Sequence, residues 1–163
     1  MNIRIITCGG TIDKEYVNPD DDYKVGSPSI AAILDEAFVS FDYQINALLK
    51  KDSLELTDAD RNCILRAVQS SPEDLIIITH GTDTMTLTAD RLAADVTGKT
   101  VVLTGALAPA KFRVSDATFN IGLAVGAVQS LPAGVYIAMN GRVFKAGNVV
   151  KNRAAGRFEA RAE

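Results

Sequence analysis

The sequence LIIITHGTDTM, residues 75–85, passes from a run of apolar residues directly into a cluster of hydroxyls and one carboxylate. An unbroken apolar run of this length is typical of a strand that helices cover on both faces of a parallel sheet. The polar residues that follow can serve as helix caps, as phosphate or substrate ligands, or as parts of an activated nucleophile. The rest of the chain has to decide between these roles.

Apolar runs and helical patterns alternate along the chain. This alternation predicts right-handed βαβ units and an α/β fold of three layers, a mostly parallel sheet with helices on both faces. VVLT at 101–104 is a second continuous apolar run and therefore a second central strand. Further strands are predicted from NIRIIT, FDYQINALL and GVYIAM, and helices from PSIAAILDEAF, TDADRNCILRAVQ and ATFNIGLAVGAVQ.

Two local signals mark the ends of elements. Thr57 or Asp58 is expected to cap a helix over residues 57–70, because short polar side chains satisfy the first free amides of a helix. Asn140-Gly141 lies between two strand-like runs and predicts a tight turn. We therefore expect a β-hairpin near residues 134–146.

The last dozen residues, 152–163, are polar and lose the periodicity of the preceding elements. Chain ends of this kind are commonly solvated, and we expect a frayed tail. Arg153, Arg157 and Arg161 would then be solvated basic residues. The alternative is that they contact an acidic surface of a neighbouring subunit.

Composition excludes several classes of protein. The chain has 163 residues, 47% hydrophobic and 23% charged, as expected for one globular domain. Its net charge of -3 provides no basic field for nucleic acid. No apolar run approaches the ~20 residues that cross a membrane, and no charged-then-apolar signal region begins the chain. We therefore expect a cytoplasmic protein that binds neither nucleic acid nor membrane.

The two cysteines, Cys8 and Cys63, are far apart and have no metal-ligand spacing. We expect two reduced and mostly buried thiols, with no disulfide and no metal site.

Two loops carry the candidate chemistry, because ligands of parallel sheets bind beyond the carboxyl ends of the strands. In TCGGTID, residues 7–13, Gly9-Gly10 permit a close backbone approach and place the Thr11 hydroxyl at this edge. The second loop delivers Thr82 and Asp83 to the same edge. Neither loop has a phosphate-binding glycine pattern, which disfavours a nucleotide.

A hydroxyl becomes a strong nucleophile only when a base takes its proton. A carboxylate is a weak base near neutral pH, so Asp83 alone does not activate Thr82 well. A partly desolvated lysine would complete the set. The pattern of residues does not choose among the lysines.

CGGTID and HGTDTM resemble the two signatures of the bacterial-type L-asparaginase family. LTGALAPAKFRVSDATFN and MNGRVFKAGNVVKN are similar to later segments of that family. The resemblance covers only the larger, N-terminal domain of a usual member. It implies a catalytic domain over residues 1–158, a tail at 159–163, and the absence of the family's smaller C-terminal domain.

The resemblance implies hydrolysis of the side-chain amide of L-asparagine to L-aspartate and ammonia, with no metal or organic cofactor. Thr11 would be the nucleophile that forms an acyl-enzyme. Thr82, Asp83 and Lys151 would handle the protons and activate the water of the second step.

The resemblance also implies substrate contacts. Tyr23 would belong to a mobile segment, residues 13–26, that closes over the substrate and helps to activate the nucleophile. Ser53 would bind the substrate carboxylate, Asp83 its amino group, and the backbone carbonyl of Ala106 the leaving amide. The implied substrate contacts together are Gly10, Ser53, Gly81, Thr82, Asp83 and Ala106.

Two departures from the family pattern bear on specificity and assembly. Leu54 stands where type II members have a glutamine that contacts the substrate, which favours asparagine and predicts little glutaminase activity. With the C-terminal domain absent, either another copy completes the pocket or the pocket stays open. We therefore expect a homodimer or homotetramer.

Several polar residues have simpler interpretations. Thr84 and Thr86 are expected to cap the helix that follows the second loop. His80, the one histidine, is structural in the family. Asp116 either caps the following helix, which we favour, or lies at the edge of the site.

Two other functions remain open. The chain is either an asparaginase or a non-catalytic domain of the same fold that binds aspartate or asparagine. A Rossmann-like nucleotide binder is disfavoured because its fingerprint is absent.

Overall fold

The computed structural model describes residues 1–16 and 23–162. A six-stranded sheet forms its centre, in the spatial order β4-β1-β5-β6-β7-β8. The first five of these strands are parallel, and β8 closes the sheet antiparallel to β7. In chain order the six are β1 (Asn2–Gly9), β4 (Asp42–Lys51), β5 (Leu75–Thr79), β6 (Thr100–Thr104), β7 (Gly134–Met139) and β8 (Arg142–Lys145).

Helices cover both faces of the sheet, which confirms the predicted α/β architecture. The helices α1 (Ile30–Glu36) and α4 (Ala117–Ser130) pack on one face. The helices α2 (Asp58–Ser70) and α3 (Met85–Asp95) pack on the other. Strands β5 and β6 are almost entirely buried between them, as their continuous apolar runs require.

Two small antiparallel pairs accompany the main sheet. The first joins β2 (Lys14–Glu15) to β3 (Lys24–Val25), and we call this pair the flap. The second joins β9 (Val149–Asn152) to β10 (Arg157–Ala160). Part of the segment expected to be mobile, residues 17–22, lies outside the described residues.

Both local signals act as predicted. Thr57 is the N-cap of α2, where its hydroxyl accepts from the Asp60 amide and the Asp60 carboxylate accepts from the Thr57 amide. Asn140 and Gly141 both have positive φ, 54° and 78°, as a tight turn of the hairpin type requires. The hairpin β7–β8 is therefore confirmed.

The frayed tail expected after residue 152 is wrong for residues 157–160, which form β10. The Phe158 side chain is only 2% exposed and lies in the core, and its amide donates to Asn140 Oδ1 over 2.9 Å. A single buried aromatic residue anchors this strand, so no periodic pattern reveals it. The domain limits at residues 1–158 stay a prediction.

Neither the helices nor the side-chain clusters of the described residues suggest a membrane span or a metal site. No helix in 1–16 or 23–162 is long and apolar enough to cross a membrane. Within the same residues, no group of three or more His, Cys, Asp or Glu side chains could hold a metal ion. Both cysteines are free, Cys8 buried and Cys63 half-buried.

Candidate active site

Three loops touch one another at the carboxyl ends of β4, β1 and β5. A Cβ atom added to Gly10 would lie 2.4 Å from Gly81 Cα, and one added to Gly81 would lie 2.5 Å from Ser53 Cβ. Real Cβ atoms do not approach so closely, so glycine is required at both positions. Thr11 follows Gly10, and Thr82 follows Gly81. Both threonines therefore lie in the loops that meet beside Ser53.

Thr82, Asp83 and Lys151 form a connected polar group. The Lys151 amine, Nζ, lies 2.8 Å from Thr82 Oγ1 and 2.8 Å from Asp83 Oδ1. Thr82 is 5% exposed, and the Lys151 side chain is 16% exposed. The structure therefore brings together an alcohol, a carboxylate and an amine in a mostly buried position.

The small β9–β10 sheet positions Lys151. Lys151 pairs with Phe158 across this sheet. Val149 and Phe158 anchor the two strands in the core, 1% and 2% exposed. The lysine therefore depends on a strand where the sequence pattern predicted a tail.

Arg153 also reaches the site, contrary to the expectation of a solvated tail residue. Its Nη2 lies 3.3 Å from Asp83 Oδ1, the same oxygen that accepts from Lys151. The Arg153 side chain is 68% exposed, so it lies at the rim. Arg157 forms an ion pair with Glu159 instead.

His80 fixes the backbone of the second loop. Its Nδ1 lies 2.7 Å from the Gly81 carbonyl, which only accepts, so Nδ1 carries the proton. Nε2 then accepts from the Thr88 hydroxyl over 2.8 Å. Complete burial lowers the pKa of His80 to about 4. This histidine is a neutral structural group near pH 7.

Thr84 does not cap α3 with its side chain, although it occupies the N-cap position. Its hydroxyl donates to the Ser53 carbonyl over 2.7 Å. The side chain therefore joins the loop after β4 to the loop after β5. The prediction that Thr86 caps α3 is also wrong. Thr86 lies inside the helix, and the N-cap of α3 makes no side-chain hydrogen bond.

Asp116 lies at the start of α4, but its carboxylate does not bond the helix amides as the expected cap would. It accepts from the amides of Leu107 and Ala108 over 2.9 and 3.0 Å. Asn120, whose role was not predicted from the sequence, donates to Asp116 and to the Gly105 carbonyl. These bonds hold the loop that carries Ala106.

Tyr23 lies on the flap, half-exposed. Its ring packs against Tyr16 and Phe112, with ring centroids 5.9 and 5.5 Å away. No hydrogen bond joins its hydroxyl to Thr11 or to any other described residue. A cavity of about 520 Å³ places Tyr23 beside Asp52 and Leu54, the two neighbours of Ser53. Tyr23 therefore lies beside the loop that carries Ser53. Thr11, Thr82, Asp83 and Lys151 do not line this cavity, and the catalytic role of Tyr23 stays a prediction.

Two ion pairs connect the flap to the loops around it. Lys14 Nζ lies 2.7 Å from Asp52 Oδ2. Glu15 forms a close ion pair with Lys111, which follows the Ala106 loop. All four side chains are at least a quarter exposed.

Asp13, at the base of the flap, is a second group whose role was not predicted, although it ends the CGGTID signature. Its carboxylate is buried and accepts from the Ser29 amide over 2.8 Å. Burial raises its pKa to about 6. The signal available in the sequence was its position two residues after Thr11.

The chain is similar to known proteins in sequence and in fold. The family profile described as "Asparaginase, N-terminal" matches residues 2–160. A solved thermostable L-asparaginase from Thermococcus kodakarensis superposes with a TM-score of 0.86 at 27% identity, covering 98% of this chain and 51% of the other.

Two curated relatives differ in the reactions that their names describe. The "Probable L-asparaginase periplasmic" of Haemophilus influenzae is 34% identical over 161 residues, 92% of this chain and 46% of the relative. A glutamyl-tRNA(Gln) amidotransferase polypeptide of Methanococcus maripaludis is 31% identical over 152 residues, 86% of this chain and 35% of the relative. The chain thus spans half or less of the length of these relatives. The profile match along nearly its whole length, together with the shared fold, places it in the asparaginase family.

Proposed function

We propose that the protein is an L-asparaginase, which hydrolyses the side-chain amide of L-asparagine to L-aspartate and ammonia. The observation that carries this proposal is the Lys151 amine, 2.8 Å from both Thr82 Oγ1 and Asp83 Oδ1. The loop that carries Thr82 and Asp83 touches the loop that carries Thr11, through Gly81 and Gly10, at the strand ends, where α/β sheets bind ligands. Family membership supplies the reaction class.

In the first step, Thr11 Oγ attacks the amide carbon of the substrate. The hydroxyl proton passes to the departing nitrogen, the carbon–nitrogen bond breaks, and ammonia leaves. The product is an aspartyl ester of Thr11. Gly10 permits this geometry because its φ of 88° turns the chain sharply into Thr11.

In the second step, water attacks the ester and releases aspartate and the Thr11 hydroxyl. The Thr82 hydroxyl, Lys151 and Asp83 form a short chain along which the proton of this water can move. Asp83 holds the amine against Thr82. The burial of Thr82 and Lys151 keeps bulk water from competing for these bonds.

The substrate amino and carboxylate groups need partners of opposite charge or hydrogen-bonding capacity. Within the described residues, Asp83 Oδ1 is already occupied by Lys151 and Arg153, which leaves Oδ2 for the substrate ammonium. Ser53 supplies its hydroxyl for the carboxylate. The Ala106 carbonyl accepts from the amide nitrogen.

Asparagine is the preferred amide in this proposal because Leu54 offers no polar contact. Leu54 is 65% exposed and lines the cavity that also contacts Tyr23, one residue beyond Ser53. The amidotransferase relative makes glutamine the second candidate, since its name concerns a different amide reaction. A kcat/KM at least about tenfold higher for asparagine supports the first candidate, and equal values favour the second.

The test is an ammonia-release assay on L-asparagine with wild type, Thr11→Ala and Lys151→Met. We expect ammonia from wild type only. If calorimetry detects aspartate binding but no variant, including wild type, releases ammonia, the chain is the non-catalytic binding domain. Full activity of Thr11→Ala would contradict the proposed nucleophile.

Three further features belong to the proposal. We expect turnover without a metal or organic cofactor, so that EDTA and dialysis leave the rate unchanged. We expect a homodimer or homotetramer. A cytoplasmic location stays a prediction, and the name of one relative places that protein in the periplasm.

A further inference from the structure

Arg153 is a cation at the rim of the candidate active site, and most of its hydrogen-bond donors are unused. Its Nη2 lies 3.3 Å from Asp83 Oδ1, and no other group in 1–16 or 23–162 pairs with the guanidinium. A guanidinium carries five N–H donors in a planar fork that fits a carboxylate. Arg157 is similarly exposed, but its guanidinium is paired with Glu159. Arg153 therefore has donors available for an anionic ligand.

Two cations share one oxygen of Asp83. Lys151 Nζ lies 2.8 Å from Asp83 Oδ1, the same oxygen that Arg153 contacts. Asp52, on the loop after β4, is also paired, because Lys14 Nζ lies 2.7 Å from its Oδ2. The hydrogen bond from Lys14, and further the charge of Lys151, lower the pKa of Asp52. These three cations and two carboxylates leave a positive charge unbalanced, although the chain has a net charge of -3.

We propose that Arg153 binds the carboxylate of the substrate, an assignment that rests on the proposed function. It makes the substrate class an amide that carries a carboxylate, and it makes the α-amino group dispensable. Succinamate is asparagine without that amino group. The site should therefore hydrolyse succinamate with water to succinate and ammonia, by the two steps proposed for asparagine.

The carboxylate would lie between Ser53 and Arg153. The Thr84 hydroxyl donates to the Ser53 carbonyl over 2.7 Å, so the loop with Ser53 is joined to the loop with Asp83. Arg153 directly follows β9 and reaches this junction through Asp83. The Ser53 hydroxyl is neutral and can satisfy a hydrogen bond but not a charge. A carboxylate removed from water needs a cationic partner as well, which the free donors of Arg153 supply.

The substrate ammonium gains less from Asp83 than it would from an unshared carboxylate. Its attraction to Asp83 Oδ2 is opposed by repulsion from the two cations on Oδ1. A hydrogen atom in place of the amino group meets no such repulsion. Removal of the amino group should therefore cost little, whereas removal of the carboxylate forfeits the pairing with Arg153.

Ammonia release from succinamate and from L-asparagine tests the substrate class. In wild type, kcat/KM for succinamate should lie within about tenfold of that for asparagine. Arg153→Gln should lower kcat/KM for succinamate at least about tenfold, mainly through KM. The fall for asparagine should be smaller, because the lost carboxylate contact is offset by weaker repulsion of the ammonium.

Two further variants show whether the guanidinium itself is responsible. Arg153→Lys keeps the charge without the fork and should recover part of the loss for succinamate. Arg157→Gln is the matched control, since Arg157 has a similar exposure but is paired with Glu159. It should leave the ratio of the two kcat/KM values unchanged. A ratio that changes equally in Arg153→Gln and Arg157→Gln would contradict a specific role of Arg153.

Calorimetric binding of the two products separates Arg153 from the proposed reaction. Succinate should bind wild type within about tenfold of L-aspartate, and Arg153→Gln should weaken succinate binding at least about tenfold. If wild type releases no ammonia from either amide while succinate binding depends on Arg153, the proposed function fails and the carboxylate site stands. Three results would overturn the site: no succinate binding to wild type, succinate binding that Arg153→Gln leaves unchanged, or a preference for L-aspartate above about tenfold.

Discussion

The loop after β5 and the flap both contact the loop after β4, through Thr84–Ser53 and Lys14–Asp52, but they are held in opposite ways. The loop is fixed by buried bonds, from His80 to its own backbone and from Lys151 to Thr82. The flap is held by exposed ion pairs, Lys14–Asp52 and Glu15–Lys111, and by aromatic contacts of Tyr23. Exposed ion pairs contribute about 0–1 kcal/mol, whereas buried networks are costly to break.

This difference separates the residues proposed for catalysis from the residues proposed to control substrate entry. Thr82 and Asp83, two of the groups assigned to proton transfer, lie on this loop, and Lys151 on β9 bonds to both, so a small displacement would lose their alignment. Lys14 of the flap and the neighbouring Tyr23 line the cavity of about 520 Å³, and the exposed ion pairs that hold the flap cost little to break. Changes in the loop should therefore lower kcat, and changes in the flap should mainly alter KM.

The largest effect is expected from Lys151→Met, which removes the amine of the rigid network. The loss of a general acid–base group predicts a fall in kcat of about 10²–10⁴-fold. Ammonia release under saturating asparagine measures it. Lys145→Met, an exposed lysine on β8, is the control and should keep wild-type activity.

Phe158→Ala tests whether β10 holds β9 and its Lys151 in position. Loss of a buried phenylalanine should lower the free energy of unfolding by about 3–5 kcal/mol. Because β10 positions Lys151, kcat should fall as well. Urea denaturation and the ammonia assay give both values.

The matched change is Phe38→Ala, at a side chain that is 91% exposed. It should alter stability by less than about 0.5 kcal/mol. Equal effects of the two substitutions would contradict the assignment of Phe158 to the core.

Two of the buried ionisable groups, His80 and Asp13, predict opposite pH dependences. His80 has a pKa lowered from 6.5 to about 4, so the unfolded state takes up its proton first and stability falls as pH drops from 6.5. Asp13 has a pKa raised from 3.8 to about 6, so the folded state takes up its proton first and stability rises as pH drops below 6. Each contributes about 2 kcal/mol between pH 6.5 and 4.5, and they nearly cancel.

Single variants separate these slopes. Asp13→Asn should lose stability on acidification from pH 6.5 to 4.5, and His80→Gln should gain it. Urea unfolding at several pH values measures both. If the free energy of unfolding changed with pH in the same way for both variants, the buried groups would not titrate as described.

The smallest effect is expected from Lys14→Gln on the flap. One exposed ion pair is lost, so KM should rise about two- to fivefold with kcat unchanged. Salt should raise the wild-type KM in the same direction, because it screens such pairs. A lower kcat at unchanged KM would place the flap within the chemistry.

Sequence reasoning succeeded where one local rule decides the structure. Continuous apolar runs identified the central strands β5 and β6, and Asn140-Gly141 identified the hairpin. The two signature loops located the edge at which the site lies. These features depend on burial and on backbone angles that neighbouring residues already reveal.

Prediction from the sequence failed where a side chain bonds to a segment that is distant along the chain. Thr84 and Asp116 lie at helix starts. The Thr84 hydroxyl donates to the Ser53 carbonyl, and the Asp116 carboxylate accepts from an amide of the Ala106 loop. Arg153 lies in a polar stretch but reaches Asp83, because β9 carries it there. Such partners are set by the assembled fold, so neither spacing nor composition predicts them.

The most direct test of the proposed mechanism asks which threonine carries the acyl group. Wild-type protein is mixed with L-asparagine, quenched within one turnover and mapped by peptide mass spectrometry. We predict an aspartyl ester on Thr11 and none on Thr82. An ester on Thr82, or turnover with Thr11 unmodified at every quench time, would contradict the division between the nucleophile and the Lys151–Thr82–Asp83 network.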